Sequence, residues 1–308
     1  MFQTFKTLPQ MLAAFPTEQS AIDHLTAIRW ANGKFCPLCG NADEKKIGTL
    51  TGTNTHKCYV CRKRFSIKVG TIFQDTKLPL RTWFAAIWMI TNHPKGIAST
   101  TLATDLGITQ KTAWFVLHRL RHAARTDSFN APLSGEVEVD ETFVGGREHN
   151  KHQSKKTGNK RGHSVELKTV VMGLVQRGGE IRAGVIDNAR AGTLRPIVEA
   201  NVAKGSTVYT DEHQGYNDLR HNYDHQRINH RKGEYARGKA TTNAVESLWA
   251  LFKRQYHGTH HWISPKHMDA YLNEMTFRLN RRDLDKGQRV NGLLAQIEGP
   301  LPYKALIA

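Results

Sequence analysis

The chain has 308 residues and carries 44 Lys and Arg against 27 Asp and Glu, a formal net charge of +17 with a sequence pI near 9.8. That length suggests roughly two or three domains, one with a substantial core, and that charge draws polyanions, so double-stranded DNA or another nucleic acid is the default partner. A membrane is disfavoured: no apolar run reaches about 18 residues and no basic amphipathic anchor stands out. The first residues, MFQTFKTLPQMLAAFP, do not read as a signal peptide, and a cytoplasmic, nucleoid-associated protein is expected.

In chain order, Glu18 to Trp30 reads as a helix, with Ala21, Leu25 and Ile28 on one side. All four cysteines follow as Cys36-Pro-Leu-Cys39 and Cys58-Tyr-Val-Cys61, eighteen residues apart. Two CxxC knuckles at such a gap predict a tetrahedral zinc site, structural because four thiolates leave no open position. Two disulfides are the alternative. Arg62, Lys63 and Arg64, with Lys57 and Lys68, would turn this ribbon towards DNA; a ribbon that only braces its domain is the plainer reading. Three helices are expected next: Leu80 to Ile90, Ile97 to Leu106 and Gln110 to Arg121, the last two joined by Gly107-Ile108-Thr109. Helix, glycine turn and polar-headed helix read as a helix-turn-helix, with Gln110, Lys111 and Thr112 facing the major groove. A plain three-helix bundle would share this pattern.

A polar linker leads to the largest region. Strands are expected at Glu136 to Val144, Lys168 to Gln176, Ile181 to Asp187 and Ser206 to Thr210, with a helix at Leu194 to Val202. Between the first two strands lies a basic loop with Lys155, Lys156, Lys160 and Arg161, a candidate grip on phosphates. In TTNAVESLWALFKR, Val245, Leu248, Trp249, Phe252 and Tyr256 form one apolar helical stripe. Glu246 and Lys253 share a neighbouring face, and Asn243 reads as the N-cap. A last helix, Pro265 to Arg282, closes the region. Asp140 and Asp211 on strands and Glu246 on a helix are the donor set of a site for two Mg²⁺ (or Mn²⁺) ions on a phosphodiester. Each acid alone also has an ordinary reading, as a strand-edge, turn or capping residue.

The segments EVEVDETFVGG, VYTDEHQGY, TTNAVESLWALFKR and YHGTHHWISPKHMDAYLNEMTFRLNRR together resemble the DDE transposases of bacterial insertion sequences. They are most similar to the zinc-ribbon group, insertion-sequence family fifteen-ninety-five. Thirty-four residues separate Asp211 from Glu246, Lys253 lies seven beyond, and the likeness runs from about residue 15 to about 285. With the element order, it implies an α/β chain whose ribonuclease-H-like catalytic domain follows a zinc ribbon and a helix-turn-helix. The expected boundaries are 1–75, 76–126, 135–285 and a C-terminal tail, 286–308. The resemblance further implies Asp140, Asp211 and Glu246 as catalytic metal ligands and Lys253 as a DNA contact. Element ends would be cut and their 3′ ends joined to target DNA by a homodimer or larger assembly. A DNA-binding regulator with an inactive third domain, and a nuclease without strand transfer, are the rivals.

Overall fold

The computed structural model describes residues 4–125, 131–146, 152–155, 168–229 and 236–308, with the backbone alone at Lys155. The chain divides into two units, residues 1–125 with 281–308, and residues 126–280. The architecture is mixed α/β, with one sheet in each unit.

In the first unit α1 (Leu8–Ala14) and α2 (Glu18–Arg29) precede a small antiparallel sheet of β1 (Ile47–Thr49), β2 (Thr55–Cys58) and β3 (Arg64–Ser66). Thr17 caps α2 reciprocally with Ser20, a polar stop-start that the sequence carries openly. Then come α3 (Leu80–Asn92), α4 (Ser99–Leu106) and α5 (Gln110–Ala123). Gly107 ends α4 in the left-handed region, and Thr109 caps α5 through Thr112 N. The final segment belongs to this unit too. It forms α9 (Lys286–Leu294) and α10 (Tyr303–Ile307), and Ile72 N donates to Ile297 O at 2.9 Å.

The second unit holds a five-stranded sheet in the order β6-β5-β4-β7-β8. Its strands are β4 (Glu136–Val144), β5 (Thr169–Gln176), β6 (Ile181–Ile186), β7 (Thr207–Thr210) and β8 (Asp224–Arg227). β4, β5 and β6 run antiparallel as a meander, whereas β4, β7 and β8 are parallel. The edge strand β8 is polar throughout, and for that reason its sequence gives no strand signal. α6 (Ala191–Asn201) joins β6 to β7 and packs with Tyr216 and Leu219 on one face, against Val137, Val139, Met172 and Leu174. α7 (Asn243–Gln255) and α8 (Met268–Asn280) cover the other face through Val245, Leu248, Trp249, Phe252, Leu272 and Met275. Helices on both sides of a sheet explain why β5 is buried along nearly its whole length. No helix among the described residues is long and apolar enough to cross a membrane.

Candidate active site and metal centre

β4 alternates, and the two series of side chains meet different layers. Val137 and Val139 enter the α6 core. Glu138, Asp140, Thr142 and Val144 point to the α7 side, as the pairing of Asp140 with Gly173 and the Trp249 ring over Gly173 require. The parallel register pairs Val137 with Val208 and Glu138 with Tyr209. Asp211 follows the last residue of β7, close enough to Asp140 for its charge to act on that carboxyl. The central strand pair therefore delivers two carboxylates from chain positions far apart in sequence.

Their surroundings are electrostatically uncompensated. Burial first, then the charges of Glu141 and Asp211, push the Asp140 carboxyl up to about 7. Glu141, on the opposite side of β4, is also raised, by burial first and Asp211 in part; Tyr216 Oη donates to it and His213 Nδ1 lies 3.9 Å away. The Tyr216 hydroxyl is raised well above its usual value, by burial and then by the Glu141 charge. Asp211 accepts from His213 N at 2.9 Å, which fixes the turn after β7. Trp249 Nε1 is buried beside Asp140 and makes no hydrogen bond of normal geometry among the described residues. Half-buried carboxylates that crowd one another in this way are the donor chemistry of a divalent-cation site.

Glu246 sits in the first turn of α7, on an exposed position, and its Oε1 accepts from Thr242 Oγ1 at 2.7 Å. Its carboxylate does not join Asp140 and Asp211 in one tight group: the four cysteines are the set of ligand atoms within 4.8 Å among the described residues. The start of α7 differs from the expectation. Thr242, not Asn243, is the N-cap, and the first-turn N–H groups of Ala244 and Val245 donate to Glu138 Oε2 at 2.8 and 3.1 Å. A strand carboxylate thus replaces the local cap, which is favourable at a helix N-terminus. Glu138 is 1% exposed. Its other oxygen takes Arg177 Nε at 2.9 Å, while Arg177 also reaches Lys239 O and Thr241 O and lies 4.2 Å over the Tyr209 ring. Arg177 and Glu138 therefore tie β4, β7 and the approach to α7 into one joint.

Glu138, Glu141, Gly173, Arg177 and Tyr216 escaped the reading of the sequence. One signal was present: EVEVDE packs four acids into six residues of a chain with net charge +17. The polar side of such a strand would ordinarily face water, and here α7 covers it.

The cysteine knuckles meet as two pairs, Cys36–Cys61 and Cys39–Cys58, each 3.8 Å between sulfurs. Tetrahedral zinc with bonds of about 2.3 Å needs an edge of about 3.8 Å, whereas a disulfide needs about 2.05 Å. The donor set fits zinc, and the disulfide alternative is excluded. Both knuckles turn through a positive φ at the residue after the second cysteine, Gly40 (74°) and Arg62 (61°). Arg62, Lys63 and Arg64 are exposed. In α5, Gln110 Nε2 donates to Ser99 Oγ at 2.9 Å, Lys111 Nζ lies 5.2 Å from the Tyr303 ring centroid, and Thr112 pairs with Thr109 at 2.8 Å. Lys253 is exposed on α7, in its last turn. Lys155 ends a short 3-10 turn from Gln153, and Lys156, Lys160 and Arg161 lie outside the described residues.

A zinc-ribbon unit joined to an α/β domain with paired strand carboxylates defines a DNA-acting, nuclease or transferase type of protein. Comparison with known proteins gives the family. Residues 132–280 match the ISXO2-like transposase domain, and residues 16–64 match the transposase zinc-ribbon domain. A protein of transposable element ISH50 from Halobacterium salinarum is 27% identical over 276 residues, 87% of this chain and 92% of the relative. A transposase-like protein from Haemophilus influenzae is 31% identical over 104 residues, 32% of this chain and 80% of the relative. Among solved structures, the Mos1 strand transfer complex has a TM-score of 0.30 at 13% identity, over 68% of this chain and 74% of that one. The chain belongs to the IS1595 family of insertion-sequence transposases.

Proposed function

We propose that the second unit is a ribonuclease-H-like catalytic domain that cuts the ends of an insertion sequence and joins the 3′ ends to target DNA. The observation that carries this reading is the proximity of Asp140 on β4 to Asp211 just past the parallel strand β7, with Asp140 raised to about 7 by burial and its acidic neighbours. The strand order, an antiparallel meander extended by two parallel strands, supports the fold assignment.

Asp140 and Asp211 would hold Mg²⁺ or Mn²⁺, with Glu246 joining from the first turn of α7 once it turns from Thr242. When bound, such ions would neutralise charge at the scissile phosphate and lower the pKa of an attacking water. The chain's own residues do the rest. Asp140 gives up its proton before it can ligate. Glu138 and Arg177 hold α7 in place, so that Glu246 starts from a fixed backbone. Lys253 holds the DNA backbone near the site. Water attacks the phosphodiester and frees a 3′ hydroxyl, which attacks a target phosphodiester in line; no protein–DNA covalent bond forms. The first unit recognises the element ends, through Arg62, Lys63 and Arg64 on the ribbon and Gln110, Lys111 and Thr112 on α5 as a helix-turn-helix. The three α5 side chains would exchange their present partners for DNA. Two ends brought together call for a homodimer or larger assembly.

The test is a strand-transfer assay with pre-cleaved element-end duplexes, plasmid target and Mg²⁺. Joined products from wild type, absent from Asp140→Ala and Asp211→Ala, are expected. Nicking without joining would make the chain a nuclease, and binding without cleavage would make it a regulator.

A further inference from the structure

A cavity of about 600 Å³ opens in the second unit beyond the carboxylates, lined by Phe143 at the end of β4, Lys168 ahead of β5, and Lys253, Tyr256, His257 and Trp262 at the end of α7 and past it. Two lysines and several aromatic residues line this space, and no acidic residue lines it among the described residues. Trp262 is 65% exposed, the most exposed large apolar side chain among the described residues. The backbone that presents it is strained: α7 widens into a π-turn at Tyr256–His260, and His261, a non-glycine residue, takes φ 59° and ψ −34°. A chain that holds its neighbour in so unfavourable a conformation to turn an indole outwards has something for the indole to meet.

The distances say what. Lys253 lies seven residues beyond Glu246, about 10 Å along a helix, and Phe143 three residues beyond Asp140, about 10 Å along a strand. At about 3.4 Å per nucleotide of one strand, the cavity is about three nucleotides from the catalytic carboxylates. A base inside a duplex has both faces covered by its neighbours and cannot stack on a side chain. Aromatic faces beside cations, without competing acids, suit an unstacked base and its phosphate.

We infer that this cavity is a site for one unstacked nucleotide of the DNA strand held at Asp140 and Asp211, its base on Trp262 and its phosphate at Lys168 and Lys253. The inference rests on the catalytic reading above, and it is tested by binding rather than by cleavage. Full-length, zinc-loaded protein is titrated with fluorescently labelled oligothymidylate and with an abasic strand of equal length. Wild type should prefer the strand with bases. Trp262→Ala should weaken oligothymidylate binding about tenfold or more and leave the abasic strand unchanged, while Trp262→Tyr should restore most of the difference. Equal affinity of wild type for both strands, or an equal loss on both in Trp262→Ala, would overturn the inference. Plasmid nicking in Mg²⁺ by the same preparation, and its loss in Asp140→Ala, reports separately on the catalytic reading.

Discussion

Asp140 is the residue on which stability and chemistry pull in opposite directions. Its carboxyl is raised from 3.8 to about 7 by burial and by Glu141 and Asp211. A group whose folded-state pKa exceeds its unfolded value holds its proton better when folded, so ionisation subtracts stability as pH climbs from about 4 to about 7. Metal-free Asp140→Asn protein should therefore melt above wild type at pH 8, by an amount equivalent to at most about 4 kcal/mol. The gap should close near pH 4, where both side chains are neutral. Mg²⁺ should raise the melting temperature of wild type but not of the variant, and the variant should not cleave. A variant that melts below wild type at pH 8 would sink this account. The strand that carries Asp140 was legible in the sequence, because Glu136 to Val139 alternate and Thr142 to Val144 continue the run. Its neighbour Glu141 was not, because a second acid on the opposite side of a strand reads as surface until the layer above it is known.

At the scale of elements, α7 depends on two residues that lie outside it. Glu138 caps Ala244 and Val245 from the sheet and is paired with Arg177. Glu138→Ala would leave two helix N–H groups without their partner and Arg177 with only Glu136 and two backbone oxygens, and should cost roughly 1–3 kcal/mol in chemical denaturation. Asn243→Ala, at an exposed position that does not cap, should stay within about 0.5 kcal/mol. Near-equal costs for the two would restore Asn243 as the cap. The second residue is Gly173, paired with Asp140 in the sheet. A Cβ there would stand 2.6 Å from Trp249 Cζ2, a rigid ring atom. Gly173→Ala should cost about 1–3 kcal/mol through overpacking and reduce cleavage by lifting α7 and Glu246 off the sheet. Adding Trp249→Leu should recover much of the stability, and no recovery would place the clash elsewhere. The stripe from Val245 to Tyr256 announced α7, since periodicity survives any fold. The cap did not announce itself, because its donor and acceptor are more than a hundred residues apart, and neither did the wholly polar β8.

The whole molecule is a basic chain of two compact units, and removing the zinc should divide them. The ribbon has three strands of three or four residues each, too little apolar burial to hold without its metal. Cys36→Ser, or chelation, should release one zinc per chain and open the ribbon to proteolysis, while the sheet of the second unit stays protected; loss of both together would mean the units do not fold apart. The net charge sets the last expectation. Each phosphate neutralised releases counterions, so the logarithm of affinity falls with the logarithm of salt at about 0.9 per contact. Changing Arg62, Lys63 and Arg64 to Ala should flatten that slope by up to about 3 on duplex DNA, whatever its sequence. Changing Lys155, Lys156, Lys160 and Arg161 should flatten it by up to about 4, if the basic loop grips phosphates. Titrations of both variants across a salt series read the two contributions independently. A slope unchanged in the ribbon variant would leave the exposed knuckle cations with no part in DNA binding, and the ribbon as a brace for its own unit.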